Sequence, residues 1–284
     1  MTNAKLVSVN LLAYVDQGEV GNDPYRIDRD GNPYVAVGDG GIVLGLRLGD
    51  SVFGHVGDHA APGACLVHPS DDARYAVVGL SCIGNRAIVR TGDATGHEGV
   101  VFGKRGGGER VIVIFAQDVL ARLRPADQVA IMSRGQGAAA PVAGITQMNI
   151  TPEALALLPV DVVGDRLDVG VRAVLPSRTV GNGIGRPMAM WDVDLQVEST
   201  SEAARDLRLG DLVAITDLDA RTNAGFRKDS MSIGVVTHGT SPQPGHGPGV
   251  TIVLSGPAKH FSVRSEGAAH QGLREETLLS KASK

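Results

Sequence analysis

RTGDATGHEGVV (residues 90–101) runs through Phe102 into GKRGGGERVIVIF (103–115), and the texture of this stretch decides the fold class. Glycines 92, 96 and 99 make corners, and a β-branched run follows. A second glycine cluster interrupts it before another β-branched run begins. Short runs centred on Val and Ile, edged by glycine, read as strands joined by tight turns. The same texture extends both ways. It recurs in LVSVNLLAYV (6–15), GIVLGL (41–46), YAVVGL (75–80), NRAIVR (85–90) and QVAIM (128–132). Further on come LVAIT (212–216), SIGVVTHG (232–239) and GVTIVLSG (249–256). Hydrophobic residues make up 43% of the chain and aromatics only 4%, so the core must be aliphatic.

Short helices punctuate the strands. FAQDVLARLR (115–124) sets Phe115, Val119 and Leu123 on one face. NITPEALALL (149–158) offers Thr151 as N-cap and Pro152 at the first helical position. TSEAARDL (200–207) reads similarly. The expected fold class is α+β, mainly β, with small barrel-like sheets and short helices. AAAPVAG (138–144) is the least patterned connection. It divides a β-rich, barrel-like domain (1–144) from an α+β domain (145–284). The polar tail after Arg264 has Leu273, Leu278 and Leu279 as anchors for a docked helix, or else it frays.

A weak repeat, Leu-Arg-x-small-Asp-x-Val, starts at Leu46, Leu123 and Leu207. It reads as a tight turn whose Asp hydrogen-bonds its own backbone before a strand begins. A set of ligand arms using Asp50, Asp127 and Asp211 is the functional alternative.

The formal net charge of −4 lacks the basic footprint of a nucleic-acid binder. No apolar run approaches the ~18 residues of a membrane helix. The first 20 residues alternate like a strand rather than a signal peptide, so a soluble cytoplasmic protein is expected. Cys65 and Cys82 read as reduced, buried thiols rather than a zinc knuckle or a disulfide.

Four loops carry candidate chemistry. GHVGDHAAPG (54–63) sets Asp58 beside His59, where a carboxylate can orient an imidazole. GVVTHGTSPQPGHGPGV (234–250) ends a strand at His238 and carries His246 through a Pro/Gly-stiffened excursion. In GKRGG, Lys104 and Arg105 with exposed amides suit a carboxylate or phosphate clamp. LDARTNAGFRKDS (218–230) adds Asp219 and Arg221 for an anionic substrate group, or is a solvated hairpin tip. Residues 90–101 also resemble the KOW signature of SH3-like barrels. Asp93 and Glu98 replace the basic residues that would meet phosphates there, so nucleic acid is an unlikely partner. Gly-x-Ser-x-Gly and His-Glu-x-x-His motifs are absent.

Taken together, GDHAAPG, LSCIGN, TGDATGHEGVVFGKRGG, GQG, NITPE, GNGIG, LRLGDLVAITD and SIGVVTHG with PGHGPGV resemble one prokaryotic family. That family is known as domain of unknown function number 4438. The resemblance spans about residues 40–255 and implies a shared β-rich fold, but no activity. The family pattern has GKHGG where this chain has GKRGG, and a tyrosine-rich stretch where it has RTNAGFRKDS. A ligand role for the missing histidine therefore does not transfer.

The residue types point to an enzyme acting on a small polar carbonyl compound, by hydrolysis or lytic cleavage of an amide, lactam or related group. Asp58 would orient His59 as general base, with His238 or His246 as acid. Lys104, Arg105, Asp219 and Arg221 would hold an anionic substrate. A divalent metal such as zinc on His59, His238 and His246 would make the same site a metal-assisted hydrolase. The alternatives are a KOW-like nucleic-acid or small-ligand binding module, and a structural β-rich homo-oligomer.

Overall fold

Six antiparallel strands close on themselves in the computed structural model, which describes residues 5–18, 25–106, 109–200, 202, 204–265 and 272–282. Around the ring they are Val9–Val15, Gln128–Ser133, Arg86–Val89, Glu98–Arg105, Arg110–Phe115 and Gly63–Val67. The last returns to the first through Tyr14↔Val67 and Val15↔Leu66. Closure leaves no free edge. The apolar runs of 98–115 are nearly continuous because these strands are buried on both faces. Val101, Val111, Val113 and Phe115 pack with Val15, Leu66, Val89 and Ile131 as the barrel interior. Val100, Phe102, Ile112 and Ile114 belong to a second cluster with Leu212, Ala214, Ile233, Val235 and Val253.

That second cluster joins the barrel to a six-stranded sheet. Its main path runs Thr146–Gln147, Gly249–Pro257, Gly225–His238, Leu212–Asp219 and Ala173–Pro176, with Val193–Asp194 paired to Gly249–Pro257. The barrel and the sheet therefore share one core across the sequence boundary near residue 144. A three-stranded sheet of Val160–Val163, Arg166–Val171 and Phe261–Ser265 flanks it. The tail docks: Leu273 and Leu278 are buried in the shared core, and Glu275–Ala282 is a helix.

Two local readings change. Residues 75–80 read as a strand but end a helix, Asp71–Leu80. Asp71 and Asp72 favour its N-terminus, and Val77 and Val78 pack into the barrel cluster. A short apolar run does not by itself distinguish a buried strand from one face of a helix. The helix expected over 200–207 is absent among the described residues, which lie there in turns. The helices Gln117–Leu120 and Pro152–Leu155 do form, and Thr151 Oγ1 accepts the Ala154 amide at 3.0 Å.

The Leu-Arg repeat is one turn built three times. Asp50, Asp127 and Asp211 each accept the backbone amide of the arginine three residues earlier, at 2.8, 2.8 and 2.9 Å. These carboxylates are committed to their own turns and lie outside the cavity described below. Two of the turns pair with each other through Ser51↔Arg208. Cys65 and Cys82 are free and buried, and burial pushes both thiols up to about 11. Among the described residues, no helix is long and apolar enough to cross a membrane.

Candidate functional site

Where the barrel meets the sheet, a cavity of about 280 Å³ is lined by polar side chains from distant parts of the chain. His238 ends the long strand Gly225–His238, and its register partner is Gly249. Gly249 also pairs with Asp194 on its other side. Gly249 can only be glycine here, since a Cβ would sit 1.9 Å from His238 Nε2. Asp192 and Asp194 are two apart at a strand, so both carboxylates reach the same side. His59 arrives from the loop before Gly63–Val67, and His246 from the 239–248 excursion. The three rings meet, with the His59 centroid 5.1 Å from that of His238 and 5.1 Å from that of His246.

His59 holds a left-handed backbone, φ 52°, which is costly for a residue with a side chain. Its amide donates to Thr240 O at 3.1 Å, and that of Asp58 donates to Val37 O at 2.8 Å. These bonds hold the strained corner and turn the imidazole inward.

Hydrogen-bond chemistry assigns the protons. His238 Nδ1 lies 2.9 Å from Gly239 O; a carbonyl only accepts, so Nδ1 is protonated. Its Nε2 lies 2.9 Å from Asp192 Oδ2 and 3.4 Å from Asp194 Oδ1, so it is protonated too. His238 is therefore an imidazolium. Burial alone would lower its proton affinity, but hydrogen bonds and charge from Asp192 and Asp194 push it up to about 10. Burial alone would raise Asp194, and the partners His238 and His59 hold it well below the usual carboxylate range.

His246 Nδ1 donates to Pro244 O at 3.0 Å, leaving Nε2 with the lone pair. His59 Nδ1 lies 2.6 Å from Asp58 Oδ1. Burial works against the Asp58 charge, but His59 and the Tyr34 hydroxyl, which donates at 2.9 Å, keep it ionised. Burial and this neighbouring charge push Tyr34 up to about 12. His59 Nε2 lies 3.5 Å from Asp194 Oδ2, so this ring also stands between two carboxylates. Ligand atoms of His59, Asp194 and His246 all lie within 4.8 Å of one another.

Three arginines of the lining are each paired with carboxylates. Arg26 donates to Asp58 at 2.8 Å and pairs with Asp39 at 2.8 Å, and Arg105 also pairs with Asp39. Arg110 lies beside Asp16 at 2.5 Å.

Of the residues singled out by sequence, Asp58, His59, His238, His246 and Arg105 are brought together around this cavity. Lys104 and the Asp219–Arg221 pair are not. Lys104 is buried elsewhere, where Nζ donates to Asn149 Oδ1 at 2.8 Å and to the carbonyls of Gly79 and Ala189. Burial pulls its proton affinity down to about 7. Arg221 is satisfied by Asp219 through contacts of 2.9 and 2.6 Å, and Arg227 joins the same carboxylate at 3.1 Å. That cluster cannot serve the cavity because it lies outside it. The 90–97 turn also lies outside, and Glu98 pairs with Arg86. Arg26, Asp39, Asp192 and Asp194 were missed. The Asp-x-Asp spacing of 192–194 was the available signal for two of them.

Comparison with known proteins follows the fold. The model of Domain of unknown function (DUF4438), N-terminal, matches residues 25–156, and that of its C-terminal domain matches residues 157–270. The solved crystal structure of TM1086 is similar at 33% identity and a TM-score of 0.90, over 95% of this chain and 96% of that one. No curated protein matches. With both family models covering most of its length, the chain belongs to the DUF4438 family.

Proposed function

We propose that the protein is a hydrolase or lyase of a small polar carbonyl compound, cleaving an amide, lactam or related group with a divalent cation held by His59, Asp194 and His246. One observation carries the reading: ligand atoms of His59, Asp194 and His246 lie within 4.8 Å of one another, with His59 Nε2 and Asp194 Oδ2 3.5 Å apart. Two donors on ~2.1 Å bonds at a tetrahedral angle stand ~3.4 Å apart, so the pair fits zinc. The outer contacts fit as well. Asp58 behind His59 and the Pro244 carbonyl behind His246 orient both rings, as partners of metal-bound histidines do.

When bound, such a cation polarises a carbonyl and acidifies water. The chain's own groups do the rest. Asp58 stands behind His59 and orients its ring so that Nε2 faces Asp194. His238, doubly protonated against Asp192 and Asp194, fixes the Asp194 carboxylate and sets a positive charge behind it. Arg26 and Arg105 in the lining favour an anionic group on the substrate.

Zinc titration of EDTA-treated protein by calorimetry, with a panel of amides, lactams and lactones assayed with and without zinc, tests the reading. One equivalent per chain is expected, lost in Asp194→Asn and in His246→Ala, with turnover only in the loaded protein. Failure to take up zinc, manganese or cobalt overturns the metal. Turnover by stripped protein that depends on His59 returns the site to metal-free acid–base chemistry, which the 2.6 Å Asp58–His59 contact would serve. Tight zinc binding without turnover across the panel favours a ligand-binding module.

A further inference from the structure

We propose that Arg105 forms a monocarboxylate subsite in this cavity, so that the molecule bound there is a small acid with its carboxylate on the guanidinium and its neutral polar end toward His59 and Asp194. The proposal rests on the cavity being a substrate site, as above, but needs no metal.

Arg105 ends the barrel strand Glu98–Arg105, lines the cavity and is only 4% exposed. A guanidinium buried this deeply normally spends its five donors on acceptors. Here Nη1 is ion-paired with Asp39, and Nε is shut off from water without a hydrogen bond. Among the described residues Nη2 has no partner either. The one carboxylate nearby is shared, since Asp39 also pairs with Arg26 at 2.8 Å. Arg26 divides its charge between Asp39 and Asp58. The wall thus carries a cation whose donors are underused and whose counter-ion is half claimed.

The cavity lining carries both signs of charge: Arg26, Arg105 and Arg110 stand among Asp39, Asp192, Asp194 and the imidazoles. A ligand that satisfies both needs one anionic end and one neutral polar end. Its size is bounded, because a cavity of about 280 Å³ lies at the low end of small-molecule pockets, which start at ~300 Å³. Nη2, the nitrogen not shut off from water, can give a charge-assisted hydrogen bond to a carboxylate oxygen of a bound acid. A phosphate dianion would bring a second negative charge toward Asp39, Asp192 and Asp194, and the other cations of the lining, Arg26, Arg110 and His238, are already paired with carboxylates. The balance favours a monoanion.

The test is calorimetric titration of wild type, Arg105→Gln and Arg105→Lys with three probes: N-acetylglycine, its neutral amide N-acetylglycinamide, and inorganic phosphate. Each is run with and without zinc. Wild type should bind N-acetylglycine about tenfold or more tightly than the neutral amide, the scale of one charge-assisted contact. Arg105→Gln should abolish that preference. Arg105→Lys, which keeps charge but loses Nη2, should fall between. Zinc affinity should be unchanged in both variants, which separates this subsite from the metal reading. Should Arg105→Gln fail to fold, Arg105→Gln/Asp39→Asn removes both charges together and is read the same way. Equal binding of acid and amide by wild type, an undiminished preference in Arg105→Gln, phosphate binding tighter than N-acetylglycine, or no binding of any probe would each overturn the proposal.

Discussion

His238 and Lys104 are buried groups whose proton affinities have moved in opposite directions, and the pH dependence of stability exposes both. In the folded chain His238 keeps its proton up to about 10, against ~6.5 when unfolded. Its stabilising contribution is complete below pH ~6.5 and is lost as pH rises through about 10. Lys104 loses its proton near 7 in the folded chain, against 10.5 for the ordinary side chain. Between those values the unfolded chain binds the extra proton, so this contribution grows with pH. At ~1.4 kcal/mol per pH unit, each group changes stability by ~2 kcal/mol between about pH 7 and 8.5, with opposite sign. In metal-stripped protein the two slopes nearly cancel. Removing one exposes the other. His238→Gln should become more stable by ~2 kcal/mol over that interval relative to wild type, and Lys104→Met less stable by a similar amount. Thiol titration by Cys65 and Cys82 is common to all three proteins and drops out of the differences. Hydrogen bonds lost from Lys104 Nζ shift the whole curve but not its slope. Urea unfolding in EDTA at four pH values measures this. A His238→Gln slope identical to wild type would refute the imidazolium, and with it the proton assignment of the site.

Asp58→Asn should leave the fold intact and weaken zinc binding by about 10- to 100-fold, because it loosens the group that orients His59; unchanged affinity counts against that role. Zinc at a hundred times its dissociation constant should stabilise wild type by ~2.7 kcal/mol and leave Asp194→Asn unmoved in thermal denaturation. Gly249→Ala drives a methyl into His238 and should cost ~2–3 kcal/mol in urea unfolding, with loss of the His238–Asp192 contact. Arg221→Ala, by contrast, should change stability by less than ~1 kcal/mol and leave zinc binding untouched, since its pair with Asp219 is partly solvated and outside the cavity.

The histidines were legible because turns made of Gly and Pro leave few other side chains to do chemistry, so His59, His238 and His246 stand out from their neighbours. Their meeting was not legible. It depends on strand register: Gly249 must fall opposite both His238 and Asp194, and the irregularity between Val236 and His238 sets which residue of that strand arrives. The same limit explains why Lys104 and Arg105 looked alike. Adjacent residues of a strand face opposite sides, and composition does not say which side is the cavity. A bulge between Val101 and Gly103 shifts the register just before them, sending Lys104 to Asn149 and Arg105 to Asp39. The aspartates were hidden for another reason. The chain's most visible Asp pattern, the Leu-Arg repeat, is spent on turns. Asp192 and Asp194 sit beside Trp191 in a stretch with no repeat and no glycine corner. A carboxylate in a turn and one in a site carry the same letter; what separates them is whether the nearest backbone amide is free to claim the oxygen. Asp50, Asp127 and Asp211 are claimed three residues back along the chain. Among the described residues no backbone amide claims Asp194, and its oxygens turn to His59, His238 and the Asn182 side chain.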